Sequence, residues 1–402
     1  MQETQDQSRL VFAFAAAGHG LFHILTALFL TIVLVLEEAW QRPYDDLIAL
    51  WTVGAMLLGL AAPFAGWLSD RWGAARMMVV YFLGIGAATV LCGFASGPLP
   101  LEAALALIGV FGAIYHPVGT AWLVRNVKAK GKAIGALGIF GGLGTAFAAL
   151  IAGALNDLAG WRFAFIVPGA VSIAAGIGLW ALLLSKKIVE RTEDLRLDPE
   201  PSRTDMRRAL AALIVTMSLT TVVYYAFTTL LPKWLENAIG SQIGDGLIGL
   251  GLVIMTIYLL GALSQLIGGH LSDRGLAKFA YVASYALKLA ALVAAFAISG
   301  WAVFPIAVLI VFAFDFAAPI ENVLIARYSP GHRRGLAYGI RNGIAIVCAP
   351  LGVQLVAWMF DPAGGFTDLF LVLAGIVAVI FLAALALPPD RPPEGMRESG
   401  TV

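Results

Sequence analysis

Charge is scarce in this chain of 402 residues: 13% of positions are Asp, Glu, Lys or Arg, 60% are hydrophobic, and the mean hydropathy is +0.87. A soluble domain carries roughly 25% charged residues, so an ordinary soluble fold is excluded. Cysteine is nearly absent. Cys92 and Cys348 stand far apart inside apolar runs, which leaves no disulfide framework or thiolate metal pair and says little about redox compartment. The glycine-rich stretches lie in apolar runs and lack a Gly-Lys-Ser/Thr ending, so they form no nucleotide-binding loop. No nucleophile–base pair or metal constellation is apparent near an interface, which argues against an enzyme. The lack of a folded soluble domain argues against a receptor, and no cofactor is implied.

Long apolar runs are what the chain does have. A helix needs roughly 20 apolar residues to cross the hydrocarbon core. Uncharged stretches of that kind recur at Leu10–Leu36, Leu47–Ser69, Met77–Leu101, Ala103–Val124, Ala133–Asn156 and Phe163–Ser185, then at Ala209–Pro232, Gly246–Ser272 and Phe279–Leu287. Later runs carry isolated charges at Lys288, Asp315, Glu321 and Arg341 before a last clean one at Leu369–Pro389. They predict an all-α membrane protein of twelve transmembrane helices, six in each half. The first run, at 27 residues, is too long for a signal-peptide core and is expected to stay in the protein.

Between the halves, Ser185 to Arg208 holds 13 charged residues in 24, with Pro199 and Pro201 interrupting any long helix. Its signs are mixed, so it reads as a solvated tether and not a nucleic-acid arm. The expected domains are a six-helix bundle at 1–184, a linker at 185–208, a second bundle at 209–389 and a disordered tail at 390–402. With both termini cytoplasmic, 21 of the 26 Lys and Arg fall in cytoplasmic segments, as the positive-inside rule requires. The near-neutral net charge of +1 conceals that asymmetry.

One phrase occurs twice. Gly66-Trp67-Leu68-Ser69-Asp70-Arg71 returns 203 residues later as Gly269-His270-Leu271-Ser272-Asp273-Arg274. His116-Pro117 with Arg125 is answered by Ala318-Pro319 with Arg327 at an offset of 202. Ala133-x-Gly135 is answered by Ala337-x-Gly339, and Asp157-x-Ala159-Gly160 by Asp361-x-Ala363-Gly364, both at 204. Parallel repeats of this kind place a substrate site between the halves at mid-depth. The first copy of the Asp-Arg phrase continues through Trp72, Gly73 and Arg76, and it resembles the loop between the second and third helices of major facilitator superfamily transporters. The resemblance implies two pseudo-symmetric six-helix bundles, with the first, fourth, seventh and tenth helices lining a cavity. It also implies gating by Asp70, Arg71, Asp273 and Arg274. Asp70 and Arg71 are expected to dock at the start of the eleventh helix near Gly335, where free amides and the positive helix end favour a carboxylate. Asp273 is expected beside the fifth helix near Lys132.

A narrower likeness sits in the first half. Gly18-His19-Gly20-Leu21-Phe22-His23, Tyr115-His116-Pro117 with Arg125, and Gly131-Lys132-Ala133-Ile134-Gly135 resemble stretches of fosmidomycin-resistance-type exporters, with Gly18 replacing a Ser and Tyr115 a Phe. This implies a bacterial inner-membrane exporter of a small polar or anionic molecule. The fifth span resembles the superfamily's antiporter phrase through Gly138-x-x-x-Gly142, but Leu143 stands where that phrase has proline, which counts against a drug/proton antiporter. Gly138 and Gly142, among Gly135, Gly141 and Gly144, are the expected helix-packing positions, where a neighbouring helix packs or slides.

Ionisable groups at membrane depth are expensive unless paired or facing a wet cavity. His19 and His23 share a helix face at i, i+4. With Tyr115, His116, Asp315, Glu321, Arg341 and Asn342 they form the candidate substrate-binding and coupling set; the bland alternative for a His is a bond to a helix carbonyl across a packing interface. Asp315 lies 14 residues after Trp301, roughly 21 Å along a helix, hence past the midplane, with Glu321 deeper. Arg341, with Asn342 beside it, is at a depth to reach either carboxylate, as a labile pair or a static bridge. Lys288, on a helix expected at the periphery, either snorkels to the surface or turns inward. Three His would also offer nitrogen ligands to a metal, with no nearby Cys or carboxylate to complete the shell; metal-ion or metal-complex transport is therefore the alternative, and no resident metal is expected. The sequence predicts a monomeric secondary active transporter in a lipid bilayer, exporting a small-molecule substrate by alternating access with H+ as the coupling ion.

Overall fold

The computed structural model describes residues 2–127, 130–189, 203–244, 246–328, 334–362 and 365–389. Apart from one isolated bridge, Asp361 with Gly365, its regular structure is helical. In chain order α1 is Gln2–Trp40, α2 the pair Tyr44–Leu60 and Ala62–Trp72, α3 Ala74–Gly93, and α4 Pro98–Gly112 with Tyr115–Asn126. Then come α5 Lys130–Ala159, α6 Trp161–Leu184, α7 Arg203–Ile239, α8 Leu247–Ala262 with Ser264–Asp273, and α9 Ala277–Ala297. The last three are α10 Val303–Tyr328, α11 Arg334–Met359 and α12 Thr367–Leu385. Among the described residues ten spans are long and apolar enough to cross a membrane, the bent α2 makes eleven, and α11, with the shorter apolar stretch Val347–Met359, takes the twelfth place. The chain is an all-α, multi-pass membrane protein. Most of the expected linker, at 190–202, and the expected tail at 390–402 lie outside the described residues.

Proline shapes the helices that matter most. Pro117 has no N–H to offer the carbonyl four residues back, on Ala113, and α4 parts between Gly112 and Tyr115. Pro63 enters the second piece of α2, which bends by 44°. Pro319 lies within an unbroken α10, and the carbonyl it deprives of a partner belongs to Asp315. Both Asp-Arg loops turn on a glycine in the left-handed region, Gly73 at φ +94 and Gly275 at φ +79, where an L side chain is strained.

Within the halves α1 packs on α5, α3 on α6, α7 on α11 and α9 on α12; between them α5 meets α8 and α2 meets α11. On the face remote from the termini the halves are bonded to each other. Lys233 Nζ lies 2.5 Å from Glu37 and 2.9 Å from Glu236. The Tyr44 hydroxyl donates to Thr229 O at 3.2 Å. Asp157, at the end of α5, accepts the first amides of α8, Leu247 N at 3.0 Å and Ile248 N at 2.8 Å. On the termini face the described bonds tie each half to itself: Gln7 donates to Asn126 at 2.9 Å, and Arg208 to Ala386 O at 2.6 Å.

Candidate functional site

The two halves enclose a cavity of about 490 Å³. His19, His23 and Thr26 reach it from α1, His116 from α4, and Gly138, Gly142 and Thr145 from α5. Thr220, Tyr224 and Tyr225 reach it from α7, Gln265 from α8, and Asp315 and Glu321 from α10. Five ionisable residues singled out in the sequence thus meet at one space, three on one side and two on the other.

On the first side, His19, His23 and His116 have ring centroids 5.0 to 6.1 Å apart. The i, i+4 spacing stacks the first two one turn apart, and the break in α4 turns His116 toward them. His19 Nδ1 lies 2.8 Å from Leu137 O, so the carbonyl bond weighed as the bland alternative is present, on a ring that also lines the cavity. Tyr115 does not line it. It is fully buried, its hydroxyl donates to Ala15 O at 2.7 Å, and its ring stacks on His19 with centroids 5.1 Å apart and planes 17° from parallel. The expectation that Tyr115 contacts solute is corrected on that geometry: it is the back wall that holds His19.

On the second side, Asp315 sits twelve residues into the 26 of α10, about 18 Å along it. The Gln265 side chain hydrogen-bonds it. Glu321 is 8% exposed and accepts the Tyr281 hydroxyl at 3.0 Å. Tyr281 meets Thr216 Oγ1 at 3.1 Å and accepts from Tyr285 at 3.2 Å, and Tyr285 meets Thr220 at 2.8 Å. A file of hydroxyls therefore runs from Glu321 through α9 back to the cavity wall. Lys288 has turned inward: it is fully buried, with Nζ 3.9 Å from the Phe314 ring centroid and 4.4 Å from that of Tyr285. Among the described residues its ammonium has no hydrogen-bond partner. Arg341 and Asn342 lie on α11 where side chains fall outside the described ones.

The model of the Major Facilitator Superfamily matches residues 10–316 and 238–401. The chain belongs to the Major Facilitator Superfamily. It is 28% identical over 252 residues to the probable sulfoacetate transporter SauU of Cupriavidus necator, 55% of this chain and 56% of that one. It is 30% identical over 216 residues to the multidrug resistance protein MdtG of Proteus mirabilis, 52% of this chain and 53% of that one. The chain thus spans little more than half the length of these curated relatives. A solved bacterial homologue of the human lysosomal transporter Spinster, inward-facing and occupied, matches with a TM-score of 0.71 over 95% of this chain and 94% of that one at 15% identity, a likeness of fold. The superfamily is one of transporters, so the chain stands with transporters and not with enzymes.

In this superfamily member the Asp-Arg loop pairs within its own half. Asp70, whose side chain is 74% exposed, lies 3.8 Å from Arg125, and the Arg71 guanidinium sits 3.8 Å above the Trp67 ring. Arg274 is exposed, while the side chains of Asp273, Lys132 and the start of α11 lie outside the described ones. Asp70→Asn is expected to slow turnover and to shift the protein two- to five-fold toward the state open on the termini face, the size of an exposed charge on a helix end at about 0.3–1 kcal/mol. Labelling of cysteines placed on that face reads the shift; unchanged labelling and turnover would remove the gating role.

The packing glycines are not the expected pair. Among the described residues a Cβ at Gly138 or Gly142 would meet nothing within 4 Å, and both line the cavity. Gly144 holds α5 against the backbone of Gly20, and Gly141 makes room for the His19 ring. The cavity also takes Thr220-Thr221, Tyr224-Tyr225 and Thr228-Thr229, which lie outside the candidate set drawn from sequence. These pairs, four residues apart in α7, form a polar stripe inside an apolar run, the signal that would have found them. The contacts Lys233–Glu37 and Asp157 with α8 carried no sequence signal beyond the repeat of Asp157 at Asp361.

Proposed function

We propose that the chain is a secondary active transporter that exports a small polar or anionic solute across the bacterial inner membrane by alternating access, coupled to H+. The cavity carries this reading: it lies between two repeats, is bonded closed on one face, and takes ionisable groups from both halves at mid-depth, where such groups persist for substrate or ion binding. Residues 1–184 and 209–389 are the two bodies that rock about it, and 185–208 is the tether that lets them. With 21 of 26 Lys and Arg on the termini face, both termini are cytoplasmic, so the bonded face is the outer one. Because one chain supplies both walls, a monomer suffices.

The relative named for multidrug resistance favours export, and the one named for sulfoacetate favours an anion, which imidazole N–H, threonine and tyrosine donors in the cavity suit. Counterflow tests the reading. Proteoliposomes loaded with unlabelled sulfonates, carboxylates or phosphonates are expected to accumulate the matching labelled solute transiently, with no ion gradient. Absence of counterflow across that panel, with protein that is monodisperse and folded, would remove solute transport of this class.

A further inference from the structure

The first side of the cavity is built more closely than a loose set of polar groups. One ring nitrogen from each of His19, His23 and His116 lies within 4.8 Å of the others. The Leu137 carbonyl 2.8 Å from His19 Nδ1 can only accept, so Nδ1 carries a proton, and in the neutral ring the lone pair lies on Nε2. Metal-binding imidazoles are typically fixed in this way, by a carbonyl or carboxylate on the second nitrogen. The ring has a seat as well. Tyr115 stacks on one side of it, and a Cβ at Gly141 would stand 2.7 Å from Nε2, so only glycine there leaves the nitrogen room.

Separation and chemistry point the same way. Metal–nitrogen bonds of about 2.0–2.1 Å in a tetrahedron put ligand nitrogens roughly 3.3 Å apart. Closing to that spacing requires His23 and His116 to rotate toward His19. Three imidazole nitrogens, with no carboxylate grouped with them among the described residues, suit borderline metals and not Mg2+ or Ca2+. A dication at this depth needs negative charge in view, and Asp315 and Glu321 line the same cavity from the opposite half. Three protein ligands also leave a position open toward the cavity.

We propose that His19, His23 and His116 bind a late first-row transition-metal dication of the Zn2+, Co2+ and Ni2+ class, leaving the fourth position to a donor from the solute. The cargo is then the metal ion itself or a small anionic chelate of it. This rests on the cavity being the transport site, but the binding can be measured without transport.

Co2+ titrated into the detergent-solubilised full chain is expected to develop the visible d–d absorption of a nitrogen-ligated site, with one ion per chain, and Zn2+ to bleach it. His19→Ala, His23→Ala and His116→Ala should each weaken Co2+ binding by about 100-fold or more, and Gly141→Ala, which crowds the His19 ring, by about 10- to 100-fold, the range known for groups that orient a ligand. His270→Ala, on an exposed histidine outside the cavity, should leave the titration unchanged. His116→Gln serves if the alanine variant loses its monodisperse elution. Absence of the bands, bands of equal strength in all three alanine variants, or displacement by Mg2+ as effective as by Zn2+ would each overturn the proposal. Counterflow of labelled Zn2+, alone and with citrate, separates free ion from chelate. Binding without counterflow of any solute keeps the metal site and removes the transport reading; counterflow of metal-free solutes with no Co2+ spectrum does the reverse.

Discussion

Asp315→Asn is expected to abolish solute accumulation driven by a pH gradient while counterflow continues. Asp315 lies at the centre of α10, lines the cavity and is hydrogen-bonded by Gln265. A carboxyl at that depth must be paired or protonated whenever the cavity loses contact with water, and a carboxyl that gains and loses a proton as the cavity changes faces couples solute to proton. Asparagine keeps the size and the hydrogen bonding but cannot carry the proton. Exchange needs no net proton movement, so it survives; uphill transport needs it, so it falls by at least about ten-fold, the equivalent of some 1.4 kcal/mol. Glu321→Gln is expected to have the same sense, because Glu321 heads the Tyr281–Tyr285–Thr220 file of hydroxyls. Parallel assays with an imposed pH gradient and with counterflow alone give the answer. If both variants accumulate solute at wild-type rates, carboxylate coupling is lost, and uniport or coupling through the histidines takes its place.

Valine at Gly144 and valine at Gly142 are expected to fail in different ways. Gly144 stands against the backbone of Gly20, so added carbons there drive α1 from α5, and forcing volume into a packed contact costs about 1–3 kcal/mol. Gly144→Val should lower the unfolding temperature and the yield of folded protein, and lose transport with them. Gly142 opens on the cavity, with nothing among the described residues within 4 Å of a Cβ. Its valine should leave the unfolding temperature in place, shrink the space for solute, and slow large solutes more than small ones. Equal unfolding temperatures for the two variants would contradict the assignment of α1–α5 packing to Gly144.

The fold was legible because lipid forces simple patterns: apolar runs of fixed length give spans, and two copies of the Asp-Arg phrase give the halves. The ionisable residues at depth were legible for the same reason, since each is an exception to the apolar rule, and His19, His23, His116, Asp315 and Glu321 do meet at one cavity. Rotation about a helix axis was not legible. Gly138, Gly141, Gly142 and Gly144 look alike in sequence, yet a turn of 100° per residue sends some to the cavity and others to the Gly20 contact. Likewise Tyr115 and His116 are neighbours, and only the second reaches the space between the halves. Lys288 is a partial case: it shares its face of α9 with Tyr281, Ser284 and Tyr285, a polar signal for the inward side, but its seat between the Phe314 and Tyr285 rings is a matter of packing that the sequence does not show.

The closure opposite the termini is made of charges near water: Lys233 between Glu37 and Glu236, and the Asp157 carboxylate on the bare amides of α8. Dissolved ions weaken such contacts over a screening length of about 8 Å at 0.15 M, shrinking to about 3 Å at 1 M, whereas the uncharged seams along α5–α8 and α2–α11, the latter with a Thr52–Gln354 hydrogen bond at 3.3 Å, are less sensitive to them. The two faces of the cycle therefore respond differently to the medium. Under the proposed orientation the ionic strength outside the cell would act on this closure, modestly, since Lys233 is partly buried.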